Sequence, residues 1–196
     1  MRTRMRGPST TGMSFLSILL LFSLISQAEV PKGWILAGSK PADYESGIDL
    51  QAEFNGHASV LLRAKKPAVD GFATLMQQFR ADDYHGKRVR FSGFVKATGL
   101  QDWAGLWMRV DKGTRMVAFD NMHDRPITSA DGWQKYEVVL DVPQDATGIA
   151  FGILLKGSGS AWLNHPQLEV VGNDIPTTGP GLNPATKGPA SLDAEN

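Results

Sequence analysis

The chain has 196 residues, which is room for one ordinary domain with tails. It contains no cysteine, which excludes disulfides, thiolate catalysis and cysteine-ligated metals. Its 20 basic residues balance 20 acidic residues without forming a long basic stripe, so we do not expect nucleic acid as a partner.

The first 28 residues have the features of an export signal. Three arginines, at positions 2, 4 and 6, precede an apolar run from 15 to 25. That run is shorter than the ~20 residues a membrane span needs, and the small residues Ser26 and Ala28 occupy the positions that a signal peptidase reads. We predict a signal peptide over 1–28 and a periplasmic or secreted protein. Two alternatives stay open: an uncleaved membrane anchor, and a true start at Met13 that would remove the basic region.

Residues 31–171 show the alternation of apolar and polar residues that is typical of β-strands. The pattern predicts strands over 58–63, 72–81, 89–95, 106–110, 115–120, 136–140, 149–155, 160–164 and 168–171. Turn signals such as Asn55-Gly56 and Asp131-Gly132 separate them. Residues 71–80 also fit helical spacing, but their surroundings favour a strand. The sequence therefore predicts an all-β, antiparallel β-sandwich of the jelly-roll type.

The C-terminal residues 173–196 are rich in proline, glycine and threonine and have almost no large apolar side chain. Such a segment cannot bury enough surface to offset the entropy of ordering it. We predict a disordered tail over 173–196, which leaves 31–171 as the folded binding domain.

Several short motifs in this order resemble the galactose-binding-like jelly rolls, which include many carbohydrate-binding modules of glycosidases. They are the strand Gly56–Leu62, Tyr84 before Gly86-Lys87 and a strand, Trp133 with Tyr136 before Val142-Pro143, and Trp162-Leu163 near the end. The resemblance extends over about residues 44–171. It implies a β-sandwich that binds carbohydrate or another small ligand.

The resemblance also implies a structural calcium ion, with Glu45, Asp49 and Asn164 as candidate ligands. Members of this group often carry an acidic pair after the final Trp-Leu, whereas this chain has Asn164 and His165. The asparagine keeps a carbonyl oxygen but removes a charge from the site. No cofactor other than this calcium is expected.

The polar face of the strand 106–110 is the candidate ligand-binding surface. Trp107 offers a ring for stacking, and Arg109 offers a planar fork of donors for a sugar or an anion. Arg90, Gln78 and Asp120 are predicted to face the same way from neighbouring strands. In the alternative interpretation Trp107 fills a core and Arg109 extends to its rim. The polar loop 120–126 is more simply explained as a turn than as a ligand-binding edge.

The sequence favours a binding module over an enzyme. It has no Gly-x-Ser-x-Gly elbow, no His-Glu-x-x-His helix and no phosphate-binding loop, and its four histidines are isolated in sequence. The leading hypothesis is an exported, non-catalytic module that binds carbohydrate. The alternative is a protein-interaction or sensory ectodomain without a small ligand. An enzyme with two carboxylates on the open face ranks last.

Overall fold

The computed structural model describes residues 30–179, apart from the side chain of residue 130. Two short 3-10 turns, Pro41–Asp43 and Asp82–Tyr84, form the helical part of this range. No helix among these residues is long and apolar enough to cross a membrane. The strands, in chain order, are β1 (Ile35–Gly38), β2 (Tyr44–Phe54), β3 (His57–Ala64), β4 (Phe72–Arg80), β5 (Arg88–Thr98), β6 (Trp103–Lys112), β7 (Arg115–Asp120), β8 (Ala130–Asp141), β9 (Gly148–Lys156) and β10 (Ser160–Val171).

These strands form two five-stranded sheets in which neighbouring strands are antiparallel. The first sheet has the order β1-β4-β9-β6-β7, and the second has the order β2-β3-β10-β5-β8. Strands that follow each other in the chain, such as β4 and β5, often lie in different sheets, so the chain crosses repeatedly between the layers. The predicted all-β antiparallel sandwich is confirmed.

The core lies between the sheets because each strand places alternate apolar side chains on its inner face. On β9, Phe151 and Ile153 face inward, while Ala150 and Gly152, each one residue earlier, face outward. Phe151 meets Phe91 of the second sheet, with their ring centroids 4.6 Å apart. Burying a side chain of this size contributes roughly 1.5–3 kcal/mol, so the apolar half of the alternating pattern selects the inner face.

The segment with two possible interpretations, residues 72–80, forms β4 between β1 and β9, so the strand prediction is correct there. The sequence pattern missed β1 and β2, which are the first strands of their sheets and lie at sheet edges. An edge strand buries fewer side chains than an interior one, which weakens its alternation. In β2, the inward positions after Tyr44 are Ser46, which is polar, and Ile48, which is exposed, so the apolar alternation is incomplete.

The prediction that disorder begins at residue 173 is wrong for residues 173–179. Arg88 Nη1 donates to the backbone carbonyls of Asn173 and Ile175, at 3.0 and 2.6 Å. Thr178 continues the edge of β8, because its N–H donates to the Val139 carbonyl at 3.0 Å and its hydroxyl accepts from the Val139 N–H at 2.8 Å. Hydrogen bonds of the backbone, of the Arg88 guanidinium and of the Thr178 hydroxyl thus hold a segment that has few apolar side chains. Residues 180–196 and the predicted signal peptide lie outside the described residues.

Candidate functional site

A groove runs along the central strand of the first sheet, on the face that points away from the core. The first three outward positions on β9, Gly148, Ala150 and Gly152, carry small residues, whereas β4 and β6 carry longer side chains beside them that face the same way. The small residues form the floor and the longer ones the walls. We call this surface the β9 groove and define it by the floor residues Gly148 and Ala150 and the wall residues Gln78, Arg80, Arg109 and Asp111.

Strand register fixes how the wall residues face each other. Gln78 and Arg109 both pair with Ala150, so an amide and a guanidinium stand on opposite sides of a methyl group. In the next row, Arg80 and Asp111 both pair with Gly148. Around Gly148 the groove widens into an open cleft of about 290 Å³. The arrangement offers donors and acceptors on both walls and leaves room above the floor.

Two of the wall side chains, Arg109 and Gln78, have polar atoms that make no hydrogen bond within residues 30–179. Arg109 Nε donates to Asp111 Oδ2 at 3.0 Å, and the Arg109 side chain is 39% exposed. Within residues 30–179, neither the terminal nitrogens of Arg109 nor the exposed amide of Gln78 has a hydrogen-bond partner. Asp111 therefore orients the guanidinium fork while leaving its outer donors free. A flat ligand with hydroxyl or carboxylate groups can accept from such a fork.

Trp107 lies on the predicted outward face, but it is not an open stacking platform. Only 6% of the residue is exposed, and it packs with Met76 and Ala150 in a small apolar cluster. Its Nε1 donates to Thr74 Oγ1 at 2.6 Å. This outcome matches the alternative in which Trp107 fills a second, smaller core and Arg109 extends to its rim. At most the edge of the indole can contribute to the groove.

Arg90 does not share a face with Trp107, so the predicted grouping of the two residues is wrong. Arg90 lies on β5 in the second sheet, on the opposite side of the sandwich. There it forms ion pairs with Glu169 at 2.9 Å and Glu137 at 3.5 Å. Alternation correctly placed Arg90 on an outward face, but it carries no information about which sheet a strand joins.

Asp120 was also predicted on the ligand-binding face, and the structure turns it inward. It pairs in register with Met108, a core residue, and is 2% exposed. Arg125 Nη2 donates to its Oδ2 at 2.5 Å, and the Met122 N–H donates to its Oδ1 at 2.8 Å. The second of these bonds confirms the turn interpretation of the loop 120–126. Asp120 holds the loop instead of binding a ligand.

Comparison by sequence finds a relative but no matching family. No family model matches the sequence. The uncharacterized HTH-type transcriptional regulator YbfP of Bacillus subtilis (strain 168) is 46% identical over 149 residues, which cover 75% of this chain and 50% of that protein. The chain therefore spans about half the length of this relative.

Solved structures share the fold at low sequence identity. The C-terminal family 22 carbohydrate-binding module of Clostridium thermocellum Xyn10B is 15% identical, with a TM-score of 0.52 over 76% of this chain and 93% of that one. The CBM22-1 xylan-binding domain of Paenibacillus barcinonensis Xyn10C is also 15% identical, with a TM-score of 0.50 over 74% of this chain and 90% of that one. The chain shares the jelly-roll β-sandwich fold of these modules. A cyclase from Fischerella sp. TAU has the same fold at 12% identity and a TM-score of 0.54, over 74% of this chain and 87% of that one, so the jelly roll alone does not separate binding from catalysis.

The calcium ligands that the resemblance implied do not fit a shared ion in this jelly roll. Glu45 pairs with Arg63, whose neighbour on β10 is Ser160, so Asn164 lies four residues, or about 13 Å, further along the sheet. Asn164 uses its amide nitrogen to donate to the His57 carbonyl at 2.9 Å. The Asp49 carboxylate accepts from Trp162 Nε1 at 2.8 Å. In the described part of the chain, no three His, Cys, Asp or Glu side chains form a group that would hold a metal.

Sequence reasoning missed the floor of the β9 groove and the wall residue Arg80. The inward residues of the strand 149–155 predict it, whereas its small outward residues Ala150 and Gly152 carry no functional group that indicates a site. A useful signal was present: glycine or alanine at successive outward positions of an interior strand leaves a depression between its neighbours. Recognising the walls also requires the β4-β9-β6 order, which one sequence does not supply.

Proposed function

We propose that this jelly roll is a non-catalytic binding module whose β9 groove takes carbohydrate. The observation that carries the proposal is the pairing of Gln78 with Arg109 across Ala150, next to the open cleft over Gly148. Sugars present rings with hydroxyl groups at their edges. A groove with a small-residue floor and amide, guanidinium and carboxylate walls provides matching space and hydrogen bonds.

The lining of the cleft favours binding over hydrolysis. Asp111 is the one carboxylate among the described residues that line it, and it is paired with Arg109. Glycoside hydrolysis ordinarily needs two positioned carboxyl groups. The two family 22 modules named above supply further support, since their names describe carbohydrate or xylan binding and their fold is shared. Export by a signal peptide over residues 1–28 belongs to the same proposal, because polysaccharides are found outside the cell.

A second candidate function is a sensory module, and the relative from Bacillus subtilis favours it. That protein is named as a transcriptional regulator, and the similar region covers half of it. In this version the groove would bind a small effector and pass the signal to a partner. The two functions differ in location, so fractionating cells that express the full chain separates them. A mature N-terminus at Glu29 outside the cytoplasm supports the exported module, and full-length protein in the cytoplasm supports the sensor.

The groove itself is tested by filling it. Gly148 has no positive φ, and an added Cβ would meet the Phe79 carbonyl oxygen at 3.6 Å, an ordinary contact. Gly148→Leu should therefore fold and place a side chain in the cleft. The matched control is Gly132→Leu on the second sheet, where an added Cβ meets nothing within 4 Å.

The two variants and the wild type are screened against xylo-, gluco- and galacto-oligosaccharides by thermal shift and calorimetry. A bound sugar raises the melting temperature of the wild type by mass action. We expect Gly148→Leu to weaken binding at least tenfold and Gly132→Leu to bind as the wild type does. Absence of binding to every sugar would contradict the carbohydrate ligand. Equal binding by Gly148→Leu and wild type would place the ligand elsewhere.

A further inference from the structure

Two histidines that are far apart in sequence meet on the outward face of the second sheet. His57 begins β3, and His165 follows Asn164 in the irregular part of β10. Their ring centroids are 4.7 Å apart and the rings are nearly perpendicular, at 84°. His57 is exposed and His165 is half-buried, so solvent reaches the pair. This side of the sandwich is opposite to the β9 groove.

Asn164 determines which nitrogen of His165 is free. The Asn164 amide nitrogen donates to the His57 carbonyl at 2.9 Å and to Ser59 Oγ at 2.7 Å, which fixes the orientation of the amide. Its Oδ1 consequently faces His165 Nδ1, and the contact requires a proton on Nδ1. A neutral His165 then carries its lone pair on Nε2. Metal-bound histidines are commonly held in this way, with the other ring nitrogen donating to an oxygen.

The register irregularity of β10 aims His165 at its partner. The pairing of β10 with β5 shifts between Asn164 and Gln167, and His165 has a φ of 47°. A bulge of this kind turns a side chain away from its regular position. His57, on the other side, has no hydrogen-bond partner for its ring nitrogens within residues 30–179, so its ring is free to turn toward a shared ligand.

Half-buried aromatic rings lie beside His165. Phe54 lies 6.1 Å from the His165 ring, measured between centroids, and Phe94 lies 6.5 Å from it. Trp133 packs against Phe54 at 5.5 Å. These rings pack against the His165 imidazole and help to hold it in place beside His57.

We propose that His57 and His165 form a two-histidine site for a divalent transition-metal ion of the borderline class, with copper(II) bound most tightly. Two imidazoles that share an ion at about 2.0–2.1 Å per metal–nitrogen bond have centroids about 4.5 Å apart at the 90° angle that copper(II) prefers and about 5 Å apart at a tetrahedral angle, and the observed spacing of 4.7 Å lies in this range. Imidazole nitrogen suits copper, nickel and zinc, and copper(II) heads their affinity order. Water would complete the coordination. The ion would join the tip of the β2–β3 hairpin to β10.

The test uses full-chain protein without an affinity tag, treated with chelator and then titrated with Cu²⁺ or Zn²⁺. His165→Asn removes one ligand and keeps a residue that tolerates a positive φ, and His57→Ala removes the other. His123→Ala is the matched control, because it removes an exposed histidine beside Trp103, away from this site. Calorimetry gives the affinity, and the Cu²⁺ electron paramagnetic resonance spectrum counts the coordinating nitrogens.

We expect the wild type and His123→Ala to bind one Cu²⁺ with two nitrogen ligands and to melt at a higher temperature when Zn²⁺ is present. Each of the two site variants should bind Cu²⁺ at least tenfold more weakly and lose the stabilisation by Zn²⁺. The proposal is overturned if either site variant binds as tightly as the wild type, or if His123→Ala weakens binding as much as they do. A circular dichroism spectrum that matches the wild type verifies that each variant is folded.

Discussion

Trp107 Nε1 donates a 2.6 Å hydrogen bond to Thr74 Oγ1, although the two residues lie on strands separated by β9. Trp107 and Met76 both pair with Gly152, so the indole crosses the central strand where that strand has no side chain. Thr74 in turn donates to the Ile153 carbonyl at 2.8 Å. The indole thus links three strands of the first sheet and closes one end of the β9 groove.

This position makes Trp107 structural. We expect Trp107→Ala to lower the free energy of unfolding by roughly 3–5 kcal/mol, because it leaves a large cavity in the outer cluster. Trp107→Phe should cost less, since it keeps most of the packing and loses the hydrogen bond to Thr74. Urea denaturation followed by circular dichroism measures both. Wild-type stability in Trp107→Ala would show that the indole is dispensable and would restore it as a candidate for stacking on a ligand.

Arg109 has the opposite character, because its outer nitrogens point away from the fold. We expect Arg109→Lys to weaken binding of any sugar found in the screen by roughly tenfold, since lysine cannot present a planar fork to two hydroxyls. The free energy of unfolding of Arg109→Lys should change by less than about 1 kcal/mol, because the bond to Asp111 is partly open to solvent and a lysine can still pair with the carboxylate. Calorimetric affinity and denaturation midpoint are measured together. A large fall in the midpoint with unchanged affinity would assign Arg109 to the fold.

Asp120 gives the protein an acid-sensitive contact. Burial alone would raise the pKa of Asp120, but hydrogen bonds from Arg125, Thr178 and the Met122 N–H outweigh it and hold the pKa below its usual value. A lowered folded-state pKa contributes stability that is present above the unfolded value of about 4 and is lost as the pH falls below it. Stability should therefore decline on acidification below about pH 4.

The control for this decline is Asp120→Asn, which cannot titrate. At pH 7 we expect it to be less stable by roughly 1–3 kcal/mol, because a charged hydrogen-bond acceptor for Arg125 is lost. The difference in unfolding free energy between wild type and variant should shrink as the pH falls from 5 to 2. A difference that stays constant over that range would mean that Asp120 titrates alike in the folded and unfolded chain.

The contacts of the segment 173–179 lead us to expect different stabilities for two truncated chains. A chain that ends at residue 179 keeps the contacts of Thr178 with Val139 and Asp120, at 2.5 Å for the latter. A chain that ends at residue 172 loses them together with the carbonyls that Arg88 binds. We expect the shorter chain to unfold at a lower urea concentration. Its free energy of unfolding should fall by roughly 1–3 kcal/mol, because buried polar groups lose their hydrogen-bond partners. Equal midpoints for the two truncations would show that this segment contributes nothing to stability.

The sequence was sufficient for the architecture because one physical rule, the alternation of buried and exposed side chains, operates within each strand. It placed the inward residues of β9 and the outward orientation of Arg109 and Arg90 correctly. Alternation depends only on residues within one strand, however, whereas the neighbours of a strand in its sheet are set by contacts between distant parts of the chain. Arg90 and Trp107 were separated because β5 and β6 joined different sheets, and no pattern within either strand records that choice.

The order of residues 173–179 and the contact between His57 and His165 could not be predicted from the sequence, for related reasons. Residues 173–179 are held by hydrogen bonds of their backbone and of the Thr178 hydroxyl, and composition does not show that Arg88, Val139 and Asp120 lie within reach of them. His57 and His165 are brought together by β3–β10 pairing and by an irregularity in β10, both of which depend on long-range contacts. Trp107 was ambiguous from the start, because an outward residue on an interior strand becomes buried only when its neighbours are large enough to cover it.

Tyr44 provides the last test, at the opposite end of the pH scale. The residue is 1% exposed, and its hydroxyl lies 2.8 Å from the Gly157 carbonyl oxygen and 3.1 Å from that of Gly71. Burial, followed by the nearby charges of Asp43 and Asp102, raises its pKa to about 12. Because the folded-state value is raised, the associated stability is complete below the unfolded value of about 10 and disappears as the pH rises through 12. We expect the wild type to lose stability relative to Tyr44→Phe over this window, and to be more stable than it by roughly 1–2 kcal/mol at pH 7. Denaturation midpoints at pH 7 to 12, with tyrosinate absorbance at 295 nm, measure both effects, and a stability difference independent of pH would contradict the assignment.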